Sequence, residues 1–165
     1  NEAVASSQNP MLIYVFGAVI LLCLLSFRSL RATLSVVIPL YVVSVLAQAL
    51  MTFLQIGLTV STLPVIALGV GIGVDYGIYI LSTMVVRLRA GDSVQVSYLA
   101  ALKERGSAVL FTGITLAIGV STWVFSSLKF QMDMGILLTF MFIVNMLGAI
   151  FVLPAIAKIL WWNKK

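Results

Sequence analysis

The chain has 165 residues, 62% of them hydrophobic and 9% charged, a balance that excludes a soluble domain of this size and marks an integral membrane protein. Its formal net charge of +5 does not indicate nucleic-acid binding, because the ten basic residues fall in short clusters between apolar runs. Histidine is absent, which excludes imidazole metal sites, Ser-His-Asp triads and imidazole proton relays within the chain, and the single cysteine, Cys23, sits in an apolar run and reads as packing.

The first residue is Asn1, with no charged segment and cleavage site before the first apolar run, as expected of a fragment or processed piece. Residues 1–9 are polar and small and read as an extracytoplasmic tail; 10–165 form the transmembrane domain. Pro10 opens a first span over 11–27, closed by Arg28 and Arg31. The second, 32–54, contains Pro39, which removes a backbone donor and serves as a tolerated kink or as a hinge. An uncharged connection over 55–62 is short enough to require antiparallel neighbours. The third span covers 63–86, with Pro64 in its first turn.

From 87 to 106 the chain turns polar around a short connector helix, for which Asp92 and Gln95 form a capping-box variant. Val94, Tyr98, Leu99 and Leu102 recur at helical spacing, giving an apolar face for the bilayer interface while the basic residues meet headgroups. The fourth span is 107–127. The fifth, 134–160, is interrupted by Pro154, and Trp161, Trp162, Asn163, Lys164 and Lys165 form an interfacial anchor. The fold class is therefore all-α: a polytopic membrane bundle of five transmembrane helices with a short cytoplasmic amphipathic connector. Alternating spans place Arg28, Arg31, Arg87, Arg89, Lys103, Arg105, Lys158, Lys164 and Lys165 on one side and Lys129 alone on the other. The basic side is cytoplasmic by the positive-inside rule, and so is the C-terminus.

Asp75, in the middle of the third span, is the one ionisable acid or base placed at hydrocarbon depth. A charge there costs a few kcal/mol or more unless paired, hydrated or neutralised, so the residue is a functional candidate. Gly69, Gly71, Gly73 and Gly77 are the helix-packing candidates, and Gly69, Gly73 and Gly77 form a GxxxGxxxG ridge for close helix approach. Asp75 lies well round the helix from that ridge, on a stripe with Gly71, Tyr79 and Ser82 that should face the bundle interior or water. Tyr76 lies about 100° from Asp75 and is placed to meet another helix. In the fourth span Thr112, Thr115, Gly119 and Thr122 follow one face, and as a stripe facing Asp75 they offer it partners. Asn145 in the last span is a lone amide that reads as interhelical glue. A carboxylate whose environment alternates can take a proton on one side of a membrane and release it on the other. No second in-membrane carboxylate, histidine or reactive cysteine accompanies Asp75, so no paired-acid or metal-assisted hydrolase can be assembled; an enzyme, a metal and a cofactor are not expected. Gly69-x-Gly71-x-x-Val74 lies inside a span and follows no strand, so it is not a dinucleotide fingerprint.

The run Leu63-Pro64-Val65-Ile66-Ala67-Leu68-Gly69-Val70-Gly71-Ile72-Gly73-Val74-Asp75-Tyr76-Gly77-Ile78-Tyr79 resembles the fourth or tenth helix of resistance-nodulation-division (RND) superfamily transporters. Its Gly-x-Asp-Tyr form is most similar to the lipid-exporting MmpL-type branch. The basic connector, the Thr-rich helix and the closing Gly148-Ala149-Ile150-Phe151-Val152-Leu153-Pro154-Ala155 follow the same order, so the resemblance covers almost the whole chain. It implies the last five helices of one transporter half, the C-terminal half by its Trp- and Lys-rich end, with residues 1–9 returning from a porter domain. It further implies proton-driven export of hydrophobic or lipid-like molecules across a bacterial inner membrane, with Asp75 as relay acid, Tyr76 as its hydrogen-bonding partner and Thr112 as a relay threonine. Tyr79, Ser82, Thr115 and Thr122 form the supporting polar stripe. The implied partners are membrane lipids and the other transmembrane half and porter domain of the same transporter, with a homo-oligomer or accessory periplasmic proteins left open and nucleic acid excluded. The intramembrane lysine of the drug-efflux branch is missing. Five helices of this pattern also define the sterol-sensing domain, so the alternative is a non-pumping lipid-binding or scaffold module.

Overall fold

The computed structural model describes residues 2–57 and 63–161, with side chains from 10 to 57 and from 64 to 161. Among the described residues seven α-helices follow one another: α1 (Glu2–Phe27), α2 (Leu30–Phe53), α3 (Leu63–Arg89), α4 (Val94–Ala101), α5 (Ser107–Ser121), α6 (Lys129–Leu147) and α7 (Leu153–Leu160). A π-helical turn at Leu102–Gly106 joins α4 to α5, a second at Gly148–Val152 joins α6 to α7, and a 3-10 turn at Thr122–Phe125 ends α5. Five helical stretches among the described residues are long and apolar enough to cross a membrane: Pro10–Phe27, Leu30–Phe53, Pro64–Arg89, Val94–Phe125 and Lys129–Leu160. The protein is an all-α polytopic bundle.

Helix α3 is the centre of the bundle, packed against α1, α2, α4 and α6, whereas α5 lies on the outside, chiefly against α6. The core is built from Val65, Ile66, Val70, Ile80, Leu81 and Met84 of α3 meeting Leu137, Leu138 and Met141 of α6 and Val36 and Leu40 of α2. Cys23 is fully buried and forms no disulfide. The α1–α2 turn is tight, with Arg28 in the left-handed region at φ 48° and its N–H donating to Leu24 O at 2.9 Å. Arg89, at the end of α3, donates from Nη2 to the carbonyl of Phe27, the last residue of α1, at 2.6 Å. A cation thus meets the negative end of the α1 dipole, and two of the basic segments share one end of the bundle.

Several boundaries differ from those the sequence suggests. Helix α1 runs back to Glu2 with Pro10 inside it as its ninth residue; the proline removes the bond its N–H would make to the residue four before it, and the helix continues through it. The fifth span begins at Lys129, where Ser126 Oγ donates to Gln131 Oε1 at 3.0 Å and accepts the Leu128 N–H at 3.2 Å. The connector is not separate from the fourth span: α4, the π-turn and α5 run on as one helical rod. Its cap is Ser93, not Asp92, with Ser93 Oγ accepting the Val96 N–H at 3.4 Å. Gly91 (φ 100°) ends α3 in the left-handed conformation and moves the start of α4 one residue on, so Asp92 turns instead toward Arg87, 4.0 Å away.

Nor does α4 lie on the bilayer by its Val94, Tyr98, Leu99 and Leu102 face. Ser97 and Ala101 are fully buried, Val94, Tyr98 and Leu102 pack on the core, and only Leu99 stands out, at 65% exposure. Tyr98 Oη donates to Ile150 O at 2.8 Å. That carbonyl has lost its usual donor, because the residue four positions on is Pro154, which carries no N–H. The expected anchor residues Trp162, Asn163, Lys164 and Lys165, and positions 58–62 of the uncharged connection, lie outside the described residues.

Candidate functional site

Helix α3 has two unlike faces. Gly69 abuts the side chain of Met141, Gly77 abuts Val36 and Leu153, and a Cβ at Gly73 would stand 2.5 Å from Asn145 Cγ. These three glycines admit side chains from α2, α6 and α7 against the α3 backbone. Gly71 does not belong with them: it is exposed, with nothing within 4 Å of where a Cβ would be, because it is turned to the opposite face.

Asn145 is 4% exposed and donates from Nδ2 to Gly69 O at 2.9 Å. Beside it lies a cavity of about 10 Å³, lined by Val36, Pro39, Leu40, Gly73, Gly77, Asn145, Ala149 and Leu153, roughly the room one water needs. Asn145 is the only polar side chain in that lining.

On the other face Asp75 is exposed, with Tyr79 at 51% exposure and Ser82 half-buried. The stripe is turned out of the five helices rather than into them, because the glycine face occupies the interior contacts. Ser82 Oγ donates to the Tyr79 carbonyl of its own helix at 3.1 Å. Two turns below Asp75 the stripe opens into a polar cleft of about 460 Å³, lined by Ser82, Thr83, Val86, Arg87, Glu104 and Arg105. Across it Arg87 Nη2 meets Glu104 Oε1 at 3.1 Å.

Tyr76 belongs to the interior. It is 1% exposed, and its hydroxyl has no hydrogen-bond partner among the described residues. Asp75 likewise makes no side-chain hydrogen bond among them, so the two neighbours are not joined in this conformation. Thr112 and Thr115 are exposed on α5, and Thr122 Oγ1 donates to Gly119 O at 2.7 Å within its own chain turn. Since α5 lies chiefly on α6, these threonines do not line the helix face that carries Asp75. No cluster of three metal-ligating side chains occurs among the described residues.

Sequence reading placed the glycine ridge and the acid but missed the carbonyls that receive side-chain donors. The signal for one of them was Pro154, which marks Ile150 O as unpaired four residues earlier.

The molecule is thus a multi-pass helical membrane module that carries a lone carboxylate on an outward face of its central helix. The chain belongs to the MMPL family, whose model matches residues 1–161. It is also similar to a Methanocaldococcus jannaschii protein described as a membrane protein, 23% identical over 135 residues, which cover 82% of this chain and 35% of that relative. The chain therefore spans about a third of that relative's length.

Proposed function

We propose that this chain is the transmembrane part of an RND-type exporter, driven by the proton-motive force, that moves hydrophobic or lipid-like molecules, and that Asp75 is the acid that takes and gives the protons. The single observation that carries the reading is the exposure of Asp75 at mid-span on the outward face of α3. A carboxylate facing hydrocarbon is unfavourable by a few kcal/mol, so that face calls for a polar partner or for water. The other transmembrane half of the same transporter is the partner of that kind, and Tyr79, Ser82, Thr112 and Thr115 supply hydroxyls on outward faces of the module. The cleft at Ser82 and Glu104 provides cytoplasmic water with a route toward the stripe. Tyr76, the acid's chain neighbour, whose buried hydroxyl has no partner among the described residues, acts as its hydrogen-bonding partner when the helix moves. The protein is a carrier and not an enzyme, it works in the cytoplasmic membrane, and its C-terminus is cytoplasmic.

The test is proton-gradient-driven transport by the full-length protein in matched vesicles bearing Asp75 or Asp75→Asn, with insertion checked in both. Retained insertion with transport reduced about 100-fold or more is expected, the scale for loss of an essential proton-transfer group. Undiminished transport in the variant would remove Asp75 from the coupling path. Binding of lipid that is indifferent to both the gradient and the substitution would favour a non-pumping, sterol-sensing-type module.

A further inference from the structure

Helix α3 meets its neighbours through large apolar side chains, Ile66, Val70, Ile80, Leu81 and Met84 among them, whose contacts are non-directional, and through glycines that let other helices approach its backbone. Of the three close glycine contacts, two are with flexible or apolar groups: Met141 at Gly69, and Val36 with Leu153 at Gly77. Only the contact at Gly73 is polar and directional. There the Asn145 amide fills the notch left by the missing Cβ and donates to Gly69 O, four residues back on the same helix. At 100° per residue Asp75 lies about 160° round α3 from Gly73, almost diametrically opposite the notch. The buried positions Gly73, Tyr76 and Ile80 and the exposed positions Gly71, Asp75 and Tyr79 divide along the same axis.

From this geometry we infer that Asn145 is the positioning residue that sets the rotation of α3 and thereby aims Asp75 away from the packed face. The inference deepens the proposed function but concerns geometry, so it holds or fails on its own readout. The amide is suited to the task. Its Nδ2 is held by a backbone carbonyl, its Oδ1 takes no donor among the described residues, and the one-water cavity beside it leaves space for a change of partner. An apolar side chain of the same size would fill the notch equally well but would make no directional bond to α3.

The experiment uses the full-length protein in membranes, with native cysteines, Cys23 included, replaced. Single reporter cysteines at Val86, which is exposed and lines the polar cleft, and at Met84, which is fully buried and about 160° away round the helix, are labelled with a small water-soluble maleimide. The rate ratio of position 86 to position 84 is expected to be at least about 10 with Asn145 present and to fall to about 3 or less in Asn145→Leu, as α3 samples other rotations. A merely structural role would lower the yield of inserted protein and leave the ratio of the surviving molecules where it was. That outcome, or a ratio near one with Asn145 intact, would overturn the inference. Should Asn145→Leu fail to insert, Asn145→Ala answers the same question, because removing atoms beside an existing cavity cannot overpack it. The readout involves no proton transfer, so loss of the ratio with full transport in Asp75→Asn would refute the coupling role of the acid while leaving Asn145 as its positioner.

Discussion

Single atoms decide how the glycine ridge responds to change. An added Cβ at Gly69 would run into the end of the Met141 side chain, and at Gly73 into the Asn145 amide, with Cγ and Nδ2 each at 2.5 Å. The two collisions differ in kind. Methionine is unbranched and turns aside at little cost, whereas the amide is short, buried and hydrogen-bonded, so moving it breaks its bond to Gly69 O. Gly73→Ala is therefore expected to cost about 2–3 kcal/mol, the sum of overpacking and a lost buried hydrogen bond, and Gly69→Ala about 1 kcal/mol or less. Equilibrium unfolding of the full-length protein in mixed micelles checks this, and equal costs for the two substitutions would contradict the distinction. The polar residues at this scale were only partly legible in the sequence. Asp75 was visible because an acid within an apolar run has no ordinary reason to be there. That Asn145 bonds α3 could not be seen, since a lone amide gives no direction and its acceptor is a backbone carbonyl 76 positions away.

At the scale of elements, two helical stretches are broken by π-turns, and α4 leads into the first of them. One turn, Leu102–Gly106, carries α4 into α5; the other, Gly148–Val152, precedes the proline-led α7. Tyr98 spans the two regions by donating to Ile150 O. The clamp works because Pro154 leaves that carbonyl without its helical donor, in a part of the protein where an unpaired backbone group is expensive. Tyr98→Phe keeps the ring and deletes only the hydroxyl, so the packing of α4 survives and the carbonyl is orphaned. A loss of about 1–2 kcal/mol is expected, together with faster amide hydrogen exchange confined to α4 and the Gly148–Leu160 region. Exchange that is unchanged, or raised throughout the bundle, would show that Tyr98 is not the local tie. The sequence revealed that a helix occupies this connector, because its apolar residues recur at helical spacing. It did not reveal which face is buried: Ser97 and Ala101, both small, are the fully buried residues of α4, and periodicity in large hydrophobic residues does not register them.

At the scale of the molecule, the five helices satisfy one another on the α3 face that carries glycines and leave the opposite face polar. Five spans could be counted from the sequence because hydrocarbon requires long apolar helices, and the central place of α3 was implied by its glycines. The outward aim of Asp75 was not legible, since a polar stripe looks alike whether it faces the middle of one bundle or the junction of two. This leads to a test with opposite signs. Asp75 is the thirteenth of the 27 residues of α3, near mid-span, where exposing an acid to lipid costs about 2.5–3.5 kcal/mol. In the 165-residue chain inserted alone, that face has no covering partner, so Asp75→Leu should stabilise the bundle against unfolding by about 2 kcal/mol, most of that cost. On the proposed function the same face meets polar groups or water in the full-length protein, and the leucine should give no gain or a loss there, because it strands whatever the carboxylate had paired with. Unfolding of both forms in the same mixed micelles, with and without the substitution, separates the two cases. A similar gain in both would mean that Asp75 faces lipid in the full-length protein as well, and the proposed relay would then have no partner across the interface.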